Sequence, residues 1–114
     1  MTGLDTLALA KRAQEALLEK KAENVLLVDV RGVSGVTDFY LVASGSSRPQ
    51  LKAMFNEVLH ALRREGVQCY RQSADTESGW LVLDYVDLVI HMLSPEARAY
   101  YAVEELWARS LPPA

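Results

Sequence analysis

Gly79-Trp80-Leu81-Val82-Leu83-Asp84-Tyr85-Val86-Asp87-Leu88-Val89-Ile90-His91-Met92-Leu93 holds two aliphatic runs separated by a few residues. Runs this short, rich in leucine, valine and isoleucine, read as strands, and so brief a link joins them as a hairpin, Trp80 to Asp84 with Leu88 to Leu93. A turn centred on Tyr85-Val86 sets Leu83 opposite Leu88, Val82 opposite Val89, Leu81 opposite Ile90 and Trp80 opposite His91. Side chains alternate across a strand, so one face of this hairpin is aliphatic and is expected to lie under a helix. The other face carries Trp80, Val82 and Asp84 from one strand and Asp87, Val89 and His91 from the next. An aromatic anchor, a polar ring and two neighbouring carboxylates are ingredients of a recognition surface. The alternative is that Trp80 is core beneath the first or last helix, and residue chemistry leaves both readings open.

Outward from the hairpin, Ser94-Pro95-Glu96 starts a last helix: serine caps free amides, proline suits the first helical position, and glutamate suits the positive end of the helix dipole. Tyr100, Tyr101, Val103, Leu106 and Trp107 give that helix more apolar area than one buried stripe needs, and Leu111-Pro112-Pro113 stops it. Upstream, Leu51, Met54, Phe55, Val58, Leu59 and Leu62 follow helical spacing after Gly45-Ser46-Ser47-Arg48-Pro49, and Gly66 closes the helix. A short strand at Val67 to Tyr70 then makes a parallel crossover, followed by a polar loop from Ser73 to Ser78. Phe39 to Ser44 and Val25 to Val30 read as strands joined by too short a loop for a helix, hence antiparallel. Asp5 to Lys21 is an amphipathic helix. The fold class is thus α/β of the mixed α+β kind: helices flanking a mixed five-stranded sheet, in the order α-β-β-α-β-β-β-α. Without repeat or linker, residues 1–114 are expected to form one domain.

The chain has 114 residues, half of them hydrophobic, enough to bury a core without a metal or disulfide. Cys69 is the single cysteine, and with only His60 and His91 it supplies no clustered metal-ligand spacing. For His91 the expected role is a sheet residue satisfied by a hydrogen bond. No charged start with a long apolar run opens the sequence, and none of its stretches has the length of a membrane span, so a cytoplasmic protein is expected. A net charge of -3 argues against a phosphate backbone as the primary partner and for a basic protein surface. Gly45-Ser46, at a strand-to-helix junction, is the one place resembling a phosphate-binding turn. Nucleotidyltransferases use such a turn with two carboxylates on the next strand to hold magnesium. The run Val67 to Tyr70 has none, and Asp75 and Glu77 are placed in a polar loop. A tight structural turn is therefore the expected reading, with no catalytic residue, cofactor or metal.

Asp29-Val30-Arg31-Gly32-Val33-Ser34, Thr37-Asp38-Phe39-Tyr40 and Ala43-Ser44-Gly45-Ser46-Ser47 resemble the first block of the Iojap-related ribosomal silencing factors. Gly79 to Tyr85 with Asp87 to His91 resembles the second block, and Tyr100-Tyr101 with Glu104, Leu106 and Trp107 the third. Val86 departs from the glycine many members carry at the hairpin turn, which implies a wider or more strained turn. The resemblance implies a nucleotidyltransferase-like fold without the catalytic carboxylates. It also implies a translation repressor that binds the large ribosomal subunit through ribosomal protein fourteen, blocks joining of the small subunit when nutrients are short, and forms a possible homodimer. The runner-up is a residual nucleotide-binding protein. The residues expected to meet the partner are Trp80, Asp84, Tyr85, Asp87, His91 and Tyr101.

Overall fold

The computed structural model of the chain describes residues 5–32, 35 and 37–101. Asp5 starts helix α1 (Thr6–Glu19) by accepting the Ala8 amide on its carboxylate at 2.8 Å, which satisfies one free donor of the first turn. Leu9, Ala10, Ala13, Ala16 and Leu17 form its buried stripe; the small residues let α1 lie close to its neighbours. Strands β1 (Glu23–Asp29) and β2 (Phe39–Ser44), helix α2 (Arg48–Arg64), strands β3 (Arg71–Asp75), β4 (Trp80–Asp84) and β5 (Leu88–Leu93) and helix α3 (Pro95–Tyr101) follow. The sheet order is β1-β2-β5-β4-β3. β2 and β5 are parallel and the other neighbours antiparallel, so the sheet is mixed, as the sequence implies. The end of the last helix expected at Leu111 lies outside the described residues.

Alternation along the strands divides the sheet into two faces. Phe39, Leu41 and Ala43 of β2, Leu81 and Leu83 of β4, and Leu88, Ile90 and Met92 of β5 pack with the stripes of α1 and α2 into the main core. Each large aliphatic side chain buried there contributes roughly 2 kcal/mol. The aliphatic hairpin face is therefore where the sequence placed it.

Two expectations are corrected. The hairpin pairs Trp80 with Leu93, Val82 with His91, Leu83 with Ile90 and Asp84 with Val89, a shift of two residues from the expected register. The cause is the turn, which centres on Val86-Asp87 rather than Tyr85-Val86: Tyr85 N–H donates to Leu88 O and Asp87 N–H donates to Tyr85 O. A shift of two preserves every side chain's face, so the division into faces survives the error. The second correction concerns the strand expected at residues 67–70, which forms instead at Arg71–Asp75, partly within the segment assigned to a loop. All five of its residues are exposed, so it carries no buried alternation to betray it. It runs parallel to β2, as a crossover requires, but it lands beyond β5 and β4 rather than beside β2.

Val86 has φ 75, and the bond from Asp87 N–H to Tyr85 O closes a tight three-residue turn around it. A β-branched residue held in this region is strained by about 1–2 kcal/mol. Glycine relieves that strain and gives back part of the gain as unfolded-state entropy. Val86→Gly should therefore stabilise the chain by about 1 kcal/mol, raising Tm by about 4 °C, as a thermal scan would show. An unchanged or lower Tm would place no strain at this turn.

Candidate partner-docking face

On the side of the sheet away from α1 and α2 stand Tyr40, Val42 and Ser44 of β2, Val89, His91 and Leu93 of β5, and Trp80, Val82 and Asp84 of β4. Among the described residues only α3 packs there. Its Ala97 sits on Val42 and Leu93, with Tyr40 and Trp80 alongside. Ser94 caps α3 through the Ala97 amide at 3.1 Å, as its sequence position suggested. Arg98 then fixes the angle of the helix: its Nη1 donates to the Asn24 carbonyl at 2.8 Å and the Ser44 hydroxyl at 2.9 Å. Asn24 has φ 51 and lies where the β1–β2 register slips, so the irregularity presents its carbonyl to the guanidinium. The exposed Tyr100 ends this side, 81% accessible. The result is a partly covered sheet face on which Tyr40, Trp80 and Val82 are half-buried, the first two packed against the cluster that contains Ala97.

At its centre the Trp80 Nε1–H donates to His91 Nδ1 at 3.0 Å. The Tyr40 and Trp80 rings flank the imidazole at 5.8 and 5.9 Å between centroids. Burial pushes the His91 pKa down to about 4, against a smaller upward pull from Asp84. His91 is thus the neutral, hydrogen-bonded sheet residue the sequence suggested. The Trp80 indole packs beside α3, as the core reading expects of the last helix, and remains half-exposed.

The other candidates scatter. Asp84 and Asp87 do not face each other, because the register sets Asp84 opposite Val89 and leaves Asp87 in the turn. Asp84 Oδ1 accepts the Val86 amide at 2.8 Å, a local bond typical of aspartate at turns. The Asp87 carbonyl accepts the amides of Asp38 and Phe39, tying the turn to the start of β2, while its side chain stays exposed. Asp84→Ala should consequently cost about 1 kcal/mol in urea unfolding and Asp87→Ala less than about 0.5. Equal costs would contradict the assignment of the turn to Asp84. Tyr85 turns away from the open face and packs against the main core, its buried hydroxyl without a hydrogen-bond partner among the described residues and its pKa raised by burial. Tyr101 lies in α3 at the end of the described residues, and its side chain is outside them, as are Val103, Leu106 and Trp107.

The Gly45-Ser46 turn borders a hollow of about 540 Å³ between the starts of α2 and α3. Its polar groups are already engaged. Gln50 Oε1 accepts both the Ser46 amide at 2.7 Å and the Ser46 hydroxyl at 3.0 Å, while Ser47 Oγ accepts the Gln50 amide. Gln50 Nε2 donates to the carbonyls of Lys20 and Lys21, so one side chain clamps the end of α1 to the start of α2. A Cβ on Gly45 would meet Met54 Sδ at 2.9 Å and Leu51 Cδ2 at 3.0 Å; close helix packing explains the glycine. Glu77 and Glu96 line the hollow together with Arg48, so it carries both signs of charge. Asp75 ends β3 and accepts the Ser78 amide, which lowers its pKa and holds it in the β3–β4 turn. Among the described residues no three of His, Cys, Asp and Glu stand together as a metal site.

Sequence reasoning passed over Tyr40, Gln50 and Arg98. Tyr40 was within reach, since period-2 alternation puts it with Val42 opposite Phe39 and Leu41. Arg98 meets Asn24 across 74 positions, and no local pattern announces such a contact.

Comparison with known proteins agrees with this architecture. Residues 4–113 match the family described as "Ribosomal silencing factor during starvation". The chain is 32% identical over 99 residues to the ribosomal silencing factor RsfS of Halalkalibacterium halodurans, covering 87% of this chain and 85% of that one. It is 28% identical over 95 residues to the Mus musculus protein named mitochondrial assembly of ribosomal large subunit protein 1, covering 80% of this chain and 41% of that one. A crystal structure of a Chromobacterium violaceum protein superposes with a TM-score of 0.87 at 30% identity, covering 97% of this chain and 92% of that one. The chain belongs to the RsfS/Iojap family of ribosomal silencing factors.

Proposed function

We propose that the chain docks on the large ribosomal subunit through the open sheet face, at ribosomal protein fourteen, and by occupying that surface keeps the small subunit from joining. Translation is then damped when nutrients are short. The observation that carries this reading is the face itself: half-buried Trp80, Tyr40 and Val82 beside a sheet end bearing Asp38, Asp84 and Asp87. Aromatic and aliphatic groups supply a desolvated centre, and carboxylates at the rim speed arrival at a basic protein. An ordinary interface of about 800 Å² per partner suffices to exclude a subunit bridge. The family membership supports the silencing role, and the name of the murine relative supports the large subunit as the partner. Trp80, His91 and Tyr101 are read as contact residues, Asp84 and Asp87 as rim charges, and Tyr85 as their support from behind.

No bond is made or broken in this mechanism, which needs neither cofactor nor metal. We read residues 1–114 as a single cytoplasmic unit whose fold is a nucleotidyltransferase-like frame. A homodimer is a second possible use of the chain's aromatic groups. Light scattering of purified subunits tests the reading. The protein should slow joining in proportion to its occupancy of free large subunits and leave free small subunits unbound; undiminished joining at saturation would refute it.

A further inference from the structure

We infer that Trp80 and His91 form an acid-sensitive latch on the open face: a neutral imidazole holds the indole down, and a proton on Nδ1 releases it. The geometry requires the first half. The indole Nε1–H is a donor only, so His91 Nδ1, 3.0 Å away, must offer a lone pair, and the ring proton then resides on Nε2. A proton arriving from solvent can bind only at Nδ1. It takes up that lone pair, and the indole N–H then faces another N–H. The hydrogen bond is lost and becomes a repulsion, in a place where Trp80 also packs beside Val42, Leu93 and Ala97 under α3.

The surroundings set where on the pH scale this happens. From β4, Asp84 favours the proton; from β2, Tyr40 presents its ring. β3, one strand further, brings Arg71 and Asp75 to the same face, and α3 brings Glu96, Arg98 and Tyr100, with the Arg98 guanidinium held at Asn24 and Ser44. Desolvation outweighs Asp84 and lowers the His91 pKa from 6.5 to about 4. A folded-state value below the unfolded one means that the latch's stabilisation is complete above about pH 6.5 and is lost as the pH falls through 4. The latch is a property of the free chain and stands whether or not this face is the one that docks.

Nitrogen-15 spectra of the full-length free protein, followed from pH 7.5 to 3.5, test it. At neutral pH His91 should show an unprotonated Nδ1 and a protonated Nε2, and the Trp80 indole proton, assigned by its loss in Trp80→Phe, should exchange slowly. Below pH 5 the indole signal should shift and exchange faster in step with His91 protonation, while the amides of Leu41, Ile90 and Met92 stay in place. His91→Gln, whose amide oxygen accepts the same bond without titrating, should keep the indole signal constant over that range. Three results would overturn the inference: His91 titrating near 6.5, an indole signal indifferent to His91 protonation, or simultaneous loss of the core amides.

Discussion

Leu81→Asp leaves most of the chain unfolded at neutral pH, while Val82→Asp, one position along the same strand, leaves it folded. Leu81 is fully buried between the sheet and the α1–α2 layer, within the cluster that includes Leu41, Leu83, Ile90 and Met92. A carboxylate there loses its water and finds no partner, a penalty of about 4 kcal/mol or more on top of the lost aliphatic contact. A domain of this size has roughly 5–15 kcal/mol to lose. Val82 faces the other way and is half-exposed, so a carboxylate at that position keeps its hydration and costs about 1 kcal/mol. Circular dichroism with urea titration separates the two. Similar stability for both variants would mean that the faces of the sheet are wrongly divided.

Gly79→Ala loses about 2–3 kcal/mol of stability, from two sources that can be told apart. Gly79 has φ 75, which an L-residue adopts at about 1–2 kcal/mol. A Cβ on it would also lie 2.6 Å from Ser94 Oγ, the atom that caps α3, so the hydroxyl must move and abandon the Ala97 amide at about 1 kcal/mol. Ser94 is held against Gly79 by its own amide, which donates to the Gly79 carbonyl at 2.9 Å, and has little room to retreat. In a Ser94→Ala background the cap is already gone, so Gly79→Ala should cost only the backbone part, about 1–2 kcal/mol. Urea unfolding of the four proteins of this cycle gives the coupling. A glycine substitution equally damaging with and without the hydroxyl would remove the steric argument.

These expectations show what kind of information a single sequence carries. The buried strands were readable because short aliphatic runs fill them: β2 and β5 are buried at nearly every residue, and β4 buries Leu81 and Leu83 in alternation. β3 was misplaced because Arg71 to Asp75 bury nothing and owe their strand to pairing with β4 alone. The hairpin register failed for a local reason. Moving the turn centre from Tyr85-Val86 to Val86-Asp87 depends on a positive φ at a valine and on the Asp84 carboxylate that grips its amide, and neither follows from propensity. The candidate face was legible through Trp80, Val82 and His91, whose positions on one side survive the shift. Its cover was not: that Ala97 and Arg98 close one side, through Val42, Leu93, Asn24 and Ser44, is settled by three-dimensional packing alone.

If the open sheet face meets the large subunit, substitutions confined to that face weaken the affinity for free large subunits and substitutions elsewhere do not. Tyr40→Ala and Val82→Asp change half-buried side chains of that face, whereas Asn56→Asp adds the same charge on the exposed side of α2. With folding verified for each, Tyr40→Ala and Val82→Asp should bind at least about tenfold more weakly, a loss of about 1.4 kcal/mol, and Asn56→Asp should bind as the unaltered chain does. Undiminished binding by both sheet variants, with loss in Asn56→Asp, would move the docking surface to the helical side and contradict the account.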